Sequence, residues 1–354
     1  MRGFWMQITK IYFMAFLSLD TTWSGEYAPY LITKAMFSMD TMEKSIVAVE
    51  TGIKKIKTID RIDFTNPLSP SQAIPTNNPA IGFTIDSRTL IPGNFQSYVE
   101  VNPRDLEATQ YSKQLADAIL EEVIPDEIQS YMTMLQLNRC GESIETGLWQ
   151  GSLAFAGHYV EGDANYQLQY FNGFMQRAVN DPAINLSSIS PVTITASIIF
   201  SILDDLILQA TTIEKALITD KESYKRMKFL VSAATWFIYT QALRNNAYKG
   251  LALDEGGTPM WGGWKVERLA GMMDNTIWFC RADGDPIKSN LWVGMNSEAD
   301  WQIKIAPKEG NTFSEIWGML LKMKWDVNYG WPSEIFMYTT ATKANFLPPV
   351  TNPQ

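Results

Sequence analysis

The chain has 354 residues, of which 46% are hydrophobic and 19% are charged, and its formal net charge is −9. This length is enough for one large domain or two smaller ones, and the low charge leaves little polar surface to face water. Large apolar interfaces between subunits or one big core would each explain that composition. The negative charge disfavours tight nucleic-acid binding, because phosphates are neutralised by clustered lysine and arginine.

The sequence offers few residues for catalysis or metal binding. His158 is the only histidine, so a multi-histidine metal site is excluded and any histidine-dependent triad would have to use it. No nucleophile motif lies beside His158, and Cys140 and Cys280 fit no metal-ligand spacing and are interpreted as free thiols. Phosphate-binding and dinucleotide-binding loops and zinc-protease motifs are missing from the sequence. We therefore predict a non-enzyme with no catalytic, cofactor-binding or metal-binding residues.

Three acidic pairs could still supply acid–base chemistry, namely Glu121–Glu122, Asp204–Asp205 and Asp254–Glu255. The first two pairs fall in predicted helices, where neighbouring side chains diverge by about 100°. We interpret them as solvated helix faces.

The N-terminal segment contains an apolar run from Ile11 to Leu19 that follows Arg2 and Lys10. A bilayer needs about 20 apolar residues, so this run is too short to span it. No small-residue cleavage site follows, which favours an amphipathic or buried arm over a signal segment.

Residues 44–102 are rich in strand signals. Ile81, Phe83 and Ile85 alternate with polar residues, which is typical of a half-buried strand. Pro92-Gly93-Asn94 predicts a turn, because proline fixes its first corner and glycine accepts a positive φ. The segment Phe95–Val101 then predicts a returning strand, so the whole region is expected to form a protruding β-hairpin.

A long helix is predicted over residues 107–138. Its apolar residues are spaced by four, which places them on one helix face: Tyr111, Leu115, Ile119 and Val123. Pro125 interrupts the pattern, and a proline there either kinks a helix or opens a new one. At 1.5 Å per residue the segment would span on the order of 45 Å.

Beyond residue 147, helix and strand signals alternate, which predicts an α+β class. Thr195 and Ser232 are candidate helix caps. The predicted strands are Met227–Val231, 264–269, 276–281, a pair formed by 290–294 with 301–305, an alternating strand through Met319, Leu321, Met323, Trp325 and Val327, and 335–338.

Tryptophan is concentrated late in the chain, with eight of the twelve after residue 260. Exposed tryptophan rings can stack on sugars, so a carbohydrate-binding or carbohydrate-active protein is one alternative. Trp292, Trp301 and Trp325 lie in alternating strand patterns, which favours a role in a core or an interface.

The order of elements resembles the Hong Kong 97-like fold of tailed-phage major capsid proteins. Local sequences strengthen the resemblance: Tyr170–Phe174, Phe229–Trp236, Gly271 and Asn290–Asp300. The resemblance implies an α+β capsid fold with these parts: an N-terminal arm (1–43), an extended β-hairpin loop (44–102), a peripheral domain with a long spine helix (103–146 and 306–345), a mixed axial domain (147–305) and a tail (346–354).

The resemblance also implies a structural role. Such a protein self-assembles into pentamers and hexamers of an icosahedral shell that encloses double-stranded DNA. Its partners would be copies of itself, scaffolding and portal proteins, and DNA held only non-specifically, with no cofactor and no membrane. It would reside in the virion after assembly in the host cytoplasm. An encapsulin-type nanocompartment shell protein is the related alternative.

Five residues are candidates for assembly under this resemblance. Pro92, Gly93, Asn94 and Phe95 lie at the predicted hairpin turn, from which a neighbouring subunit could be reached. Pro125 is a candidate hinge that would let the spine helix bend differently in pentamers and hexamers.

Overall fold

The computed structural model describes residues 21–23, 39–65, 82–102, 126–160, 162–163, 165–245, 259–286, 288–296, 302–307 and 316–348. It mixes helices with two six-stranded sheets and one two-stranded sheet, which confirms the predicted α+β class.

The described strands are β1 (Thr21–Trp23), β2 (Ala48–Glu50), β3 (Lys57–Thr65), β4 (Gly82–Leu90), β5 (Gly93–Val101), β6 (Asn185–Leu186), β7 (Met227–Ser232), β8 (Met260–Trp261), β9 (Trp264–Leu269), β10 (Thr276–Arg281), β11 (Leu291–Met295), β12 (Gln302–Pro307), β13 (Trp317–Tyr329) and β14 (Phe336–Thr339).

The described α-helices are α1 (Asp40–Glu43), α2 (Asp126–Gln150), α3 (Phe174–Asn180), α4 (Ile199–Ile213), α5 (Lys215–Thr219), α6 (Lys221–Arg226) and α7 (Ala233–Asn245). Short 3-10 helices cover Leu153–Phe155, Tyr166–Gln169, Pro332–Glu334 and Lys343–Phe346.

The first sheet, which we call the β13 sheet, is built around the thirteen-residue strand β13. Its order is β1-β12-β13-β11-β2, and β5 also pairs with β13. The predicted alternation is confirmed, because its five apolar positions are all buried: Met319, Leu321, Met323, Trp325 and Val327.

The second sheet, the β10 sheet, has the order β6-β14-β10-β7-β9-β8. The strands predicted at 227–231, 264–269 and 276–281 are all present in it. Ser232 caps α7 as expected, with its Oγ accepting a hydrogen bond from the Thr235 amide at 3.1 Å. The Thr195 prediction was wrong, because Ile198 is the N-cap of α4 and makes no side-chain cap. Thr195 instead contributes its main-chain oxygen, which accepts from the Ile198 and Ile199 amides.

Two strand pairings differ from the sequence-based expectation. The strands near 290–294 and 301–305 do not pair with each other, since β11 and β12 each pair with β13. The strand Phe336–Thr339 pairs with β10 and therefore lies in the β10 sheet, while β11 lies in the β13 sheet. Each sheet thus draws strands from both sides of residue 305, and the predicted domain division stays a prediction. Alternation locates a strand but does not specify its partner.

Helix α2 has 25 described residues and ends at Gln150, well beyond the predicted end at residue 138. Its buried residues Leu137, Ile144, Leu148 and Trp149 pack into the main core. The predicted helical face from Tyr111 to Val123, together with Pro125, lies outside the described residues.

The main core joins the two sheets. One cluster combines Leu230 and Trp278 of the β10 sheet with Leu321 and Trp325 of the β13 sheet. A second cluster fills the space between the β10 sheet and helices α4 and α7. Cys280 is a buried free thiol, and burial raises its pKa to about 12.

Most of the described late tryptophans are buried. Those at 264, 278, 292, 317 and 325 are buried. The packing interpretation of Trp292 and Trp325 is therefore confirmed, whereas Trp301 lies outside the described residues. A buried indole cannot stack on a sugar, so these five rings offer no carbohydrate platform.

Candidate assembly hairpin and its root

Strands β3 and β4 form a hairpin that carries no third strand among the described residues. The register runs from Lys57 opposite Leu90 to Thr65 opposite Gly82. Residues 66–81, which connect the two strands, lie outside the described part. Ile62 is opposite Ile85, whose side chain is 60% exposed. The hairpin therefore presents apolar surface that the described chain leaves uncovered.

The predicted hairpin turn was placed wrongly. Pro92-Gly93-Asn94 does not join the two hairpin strands, and Phe95–Val101 does not return along the hairpin. Instead β5 pairs over nine residues with β13, from Gly93 opposite Trp325 to Val101 opposite Trp317. The turn residues thus lie where the chain passes from β4 of the hairpin into β5 of the β13 sheet. We call this end of the hairpin its root.

The turn residues make close contacts at this root. A Cβ on Gly93 would lie 3.3 Å from the Tyr170 carbonyl oxygen, which leaves little room for a side chain. The ring of Phe95 stacks on Tyr170 and Phe171, with centroids 5.7 Å and 6.2 Å away. Both aromatic partners belong to the segment Tyr170–Phe174 that carried part of the resemblance. The assembly roles of Pro92, Gly93, Asn94 and Phe95 stay predictions.

One side of the root is a small apolar cluster. Ile59 and Leu90 of the hairpin pack with Ala48, Ile53 and Trp292. Among the described residues, Trp292 Nε1 is the buried side-chain polar atom that has no hydrogen-bond partner. An unpaired buried donor lowers the stability of the fold. The apolar contacts of Trp292 with Ile59 and Leu90 of the hairpin offset that loss.

The other side of the root is polar, and its inner part centres on Asp326. The carboxylate accepts the Ile91 amide at 2.7 Å and forms an ion pair with Arg177, also at 2.7 Å. Burial raises the pKa of Asp326 from its usual value, although Arg177 opposes that shift. Asn328 donates to the Thr89 carbonyl oxygen at 2.8 Å. Both contacts hold the main chain at the end of β4 against β13.

The outer part of the polar side is a contact that we call the root latch, formed by Arg88, Asp181 and Tyr329. Arg88 lies 3.0 Å from the Asp181 carboxylate, and the Tyr329 hydroxyl donates to the same oxygen at 2.9 Å. The guanidinium also lies over the Tyr329 ring, 5.5 Å from its centroid. Burial raises the pKa of Tyr329, which keeps its hydroxyl a donor.

A second polar junction attaches α1 to the rest of the chain. The Thr41 amide and hydroxyl both donate to the buried Glu145 carboxylate of α2, at 3.3 Å and 2.6 Å. Trp149 Nε1 donates to the Thr41 hydroxyl at 2.9 Å. Burial raises the pKa of Glu145, against the lowering by these hydrogen bonds. Asp40 accepts the Ala270 amide at 3.1 Å, which ties α1 to the loop after β9.

Sequence reasoning missed both polar junctions. Asp326 offered no clear signal, because it falls on the polar register of the alternating strand, together with Lys322, Lys324 and Asn328. Its partner Arg177 is 149 residues away in the chain, and nothing in the sequence connects the two.

The other residues considered for chemistry form no reactive arrangement. His158 is half-buried with its ring against Tyr159. Asp204 accepts from Trp261 Nε1 at 2.7 Å, and Asp205 accepts from Ser187 at 2.6 Å. The pairs at 121–122 and 254–255 lie outside the described residues.

Two further features are absent among the described residues. No group of three or more histidine, cysteine, aspartate or glutamate side chains lies close enough to hold a metal ion. No described helix combines the length and the apolar character that crossing a bilayer requires.

The sequence matches no protein-family model and no curated protein. Solved structures are similar in fold. A chain of the cyanophage A-1(L) capsid asymmetric unit superposes with a TM-score of 0.52 at 12% identity, covering 86% of this chain and 93% of that one. A chain of the satellite phage P4 procapsid including size determination (Sid) protein gives 0.50 at 11% identity, over 88% and 99%.

This agreement spans nearly the whole length of the compared chains. The chain has the Hong Kong 97-like capsid fold that tailed-phage major capsid proteins share, as the sequence resemblance implied. The identities are low, so the likeness defines the fold and leaves function to be argued from the site.

Proposed function

We propose that this chain is a structural major capsid protein, a subunit that builds a shell by self-association. The observation that carries the proposal is the capsid fold over 86% to 88% of the chain. Self-association is the activity that such a fold serves, and the described residues offer contact surfaces rather than a catalytic arrangement.

The hairpin supports this function on physical grounds. A two-stranded hairpin is marginally stable on its own in water. Each of its nine-residue strands extends about 30 Å, so it reaches beyond the cores that stabilise the rest of the chain. Its exposed apolar residues, Ile85 among them, would be covered by a neighbouring copy. An interface of this head-to-tail kind can close into a shell and would bury on the order of 2,000 Å² or more.

The finer proposal is an icosahedral shell of pentamers and hexamers around double-stranded DNA, located in the virion and assembled in the host cytoplasm. Scaffolding and portal proteins would be its further partners. The net charge of −9 suits a wall that contacts packaged DNA without holding it tightly.

The test is the state of association of the full chain. Size-exclusion chromatography and negative-stain microscopy of the purified protein should show shells or capsomer rings. The contents of the shells separate the two related alternatives, since nucleic acid supports a phage capsid and protein cargo supports an encapsulin-type compartment. A stable monomer that binds glycans would contradict the proposal and favour the carbohydrate-binding alternative.

A further inference from the structure

We infer that the root latch of Arg88, Asp181 and Tyr329 sets the direction in which the hairpin leaves the subunit, and thereby the curvature of the shell. The inference rests on the proposed function, because curvature is a property of an assembled shell. It assigns a positioning role to three residues that are distant in the chain and meet only in the fold.

The two polar contacts at the root differ in their access to water. The Asp326 side chain is only 3% exposed, which shields its carboxylate, whereas the side chain of its partner Arg177 is 25% exposed. In the latch, the Arg88 side chain is 31% exposed and that of Asp181 is 12% exposed. The two arginines are similarly exposed, so the difference lies in the carboxylates: water reaches Asp181 more readily than it reaches Asp326.

This difference predicts which contact opens first. A partly exposed ion pair changes an equilibrium constant by a factor of up to about five, which is small enough for the open state to be populated. Breaking the inner contact would leave a buried carboxylate unpaired and is strongly disfavoured. The latch can thus open while Asp326 still holds the Ile91 amide.

An opened latch would let the hairpin pivot about a short link. Only Ile91 and Pro92 separate the end of β4 from the start of β5. The fixed φ of proline and the bond from Ile91 to Asp326 limit the pivot to small angles. On a hairpin about 30 Å long, a rotation of about 10° moves the far end by about 5 Å. A displacement of that size, repeated at every contact between subunits, changes the angle between neighbours.

The test variant is Arg88→Gln, which removes the charge and keeps most of the side-chain volume. We expect its shells to have more than one diameter in cryo-electron microscopy, whereas the wild type forms one main diameter. In the unassembled subunit, amide hydrogens of β3 and β4 should exchange up to roughly fivefold faster than in the wild type. Arg88→Lys, which restores a positive charge beside Asp181, should recover the single diameter.

A matched control is Arg139→Gln. Arg139 also forms an ion pair, with Glu142 at 2.9 Å, but both side chains are largely exposed on α2, and neither takes part in the root contacts described above. This variant should leave diameter and exchange unchanged. Where Arg88→Gln fails to fold, Tyr329→Phe takes its place, because it deletes only the hydroxyl that donates to Asp181.

Shells of Arg88→Gln with the wild-type diameter, together with unchanged exchange in β3 and β4, would overturn the inference. Equal broadening of shell size in Arg139→Gln would overturn it too, because the effect would not be specific to the latch. A wild type that never forms shells would contradict the proposed function instead. Hydrogen exchange in the unassembled subunit separates the two failures, since it reports on the latch without assembly.

Discussion

Strands β10 and β4 differ in how far the subunit itself pairs their backbones and buries their side chains. Strand β10 pairs on both sides, with β7 and β14, and its residues from Thr276 to Cys280 are buried. Among the described strands, β4 pairs only with β3, and Ile85 in its centre is 60% exposed. The first strand is complete within one subunit, whereas under the proposed function the second would be covered by another subunit. Changes in the two regions should accordingly affect different properties, stability in one and assembly in the other.

The largest effect is expected from Trp278→Ala in β10. Trp278 is fully buried, its ring meets Trp149 edge-on at 5.5 Å, and its Nε1 donates to the Met175 sulfur at 3.2 Å. Removing such a side chain costs about 3–5 kcal/mol of unfolding free energy, a large share of a typical domain's stability. Thermal unfolding followed by circular dichroism should show a large fall in Tm. An unchanged Tm would mean that the core tolerates this cavity. It would contradict the view that changes in β10 mainly affect stability.

The second prediction concerns the hairpin connection. Because Thr65 and Gly82 are paired, residues 66–81 can be replaced by Asn-Gly, which suits a two-residue turn. The shortened subunit should keep its Tm and its circular dichroism spectrum and lose shell assembly in size-exclusion chromatography. Normal assembly would show that the hairpin end makes no contact between subunits.

A pair of point variants refines that result. Ile85→Ser in the hairpin is expected to impair assembly, because it removes apolar surface that a neighbouring copy would cover. Val160→Ser is the control, since Val160 is 68% exposed and lies outside the hairpin. Equal assembly of the two variants would argue against the hairpin as the contact surface.

A smaller effect is expected from Pro125→Ala. The described part of helix α2 starts at Asp126, the residue that follows this proline in the sequence. If Pro125 is the hinge between differently bent helices, alanine should stiffen the segment and shift assembly toward irregular shells or one kind of capsomer. Microscopy of assembled particles would detect that shift. Unaltered assembly and maturation would remove Pro125 from the candidate assembly residues.

The smallest effect concerns the pH dependence of Glu145. Its pKa is raised in the folded state, so the folded chain binds this proton more tightly than the unfolded chain does. Its contribution to stability is therefore complete below the ordinary glutamate pKa and is lost as the pH rises through the raised value. Glu145→Gln removes this titration, so the variant should cost more stability at pH 5 than at pH 8. Denaturant unfolding at the two pH values measures the difference, and an equal cost would contradict the assignment.

The sequence predicted local features well. The alternation from Met319 to Val327 and the Ser232 cap depend on neighbours within a few residues, and both are present. It failed where distant segments decide the outcome. The turn signal of Pro92-Gly93-Asn94 was assigned to a hairpin, because alternation does not reveal that β5 pairs with β13 more than 200 residues later.

The candidate site was predicted at the level of the segment and missed at the level of the side chain. Strand signals identified residues 44–102 as a hairpin region, and β3 and β4 lie within it. The residues that hold its root lie far away in the chain: Asp181 and Tyr329 meet Arg88, and Asp326 meets Ile91, only through the fold. The pattern of charge and hydropathy along the chain does not indicate contacts between residues so far apart in sequence.

The continuity of β4, β5 and β13 has a mechanical consequence. A pull on the hairpin passes along β4 and through the link at Ile91 and Pro92 into β5. The nine residue pairs that join β5 to β13 lie along the direction of β5, so a load applied along that strand is shared among all of them at once. Separating them one by one would require force across the strand. In an expanding or pressurised shell, a neighbouring subunit that pulls on the hairpin would therefore load the β13 sheet along its strands, the direction in which the sheet resists separation best.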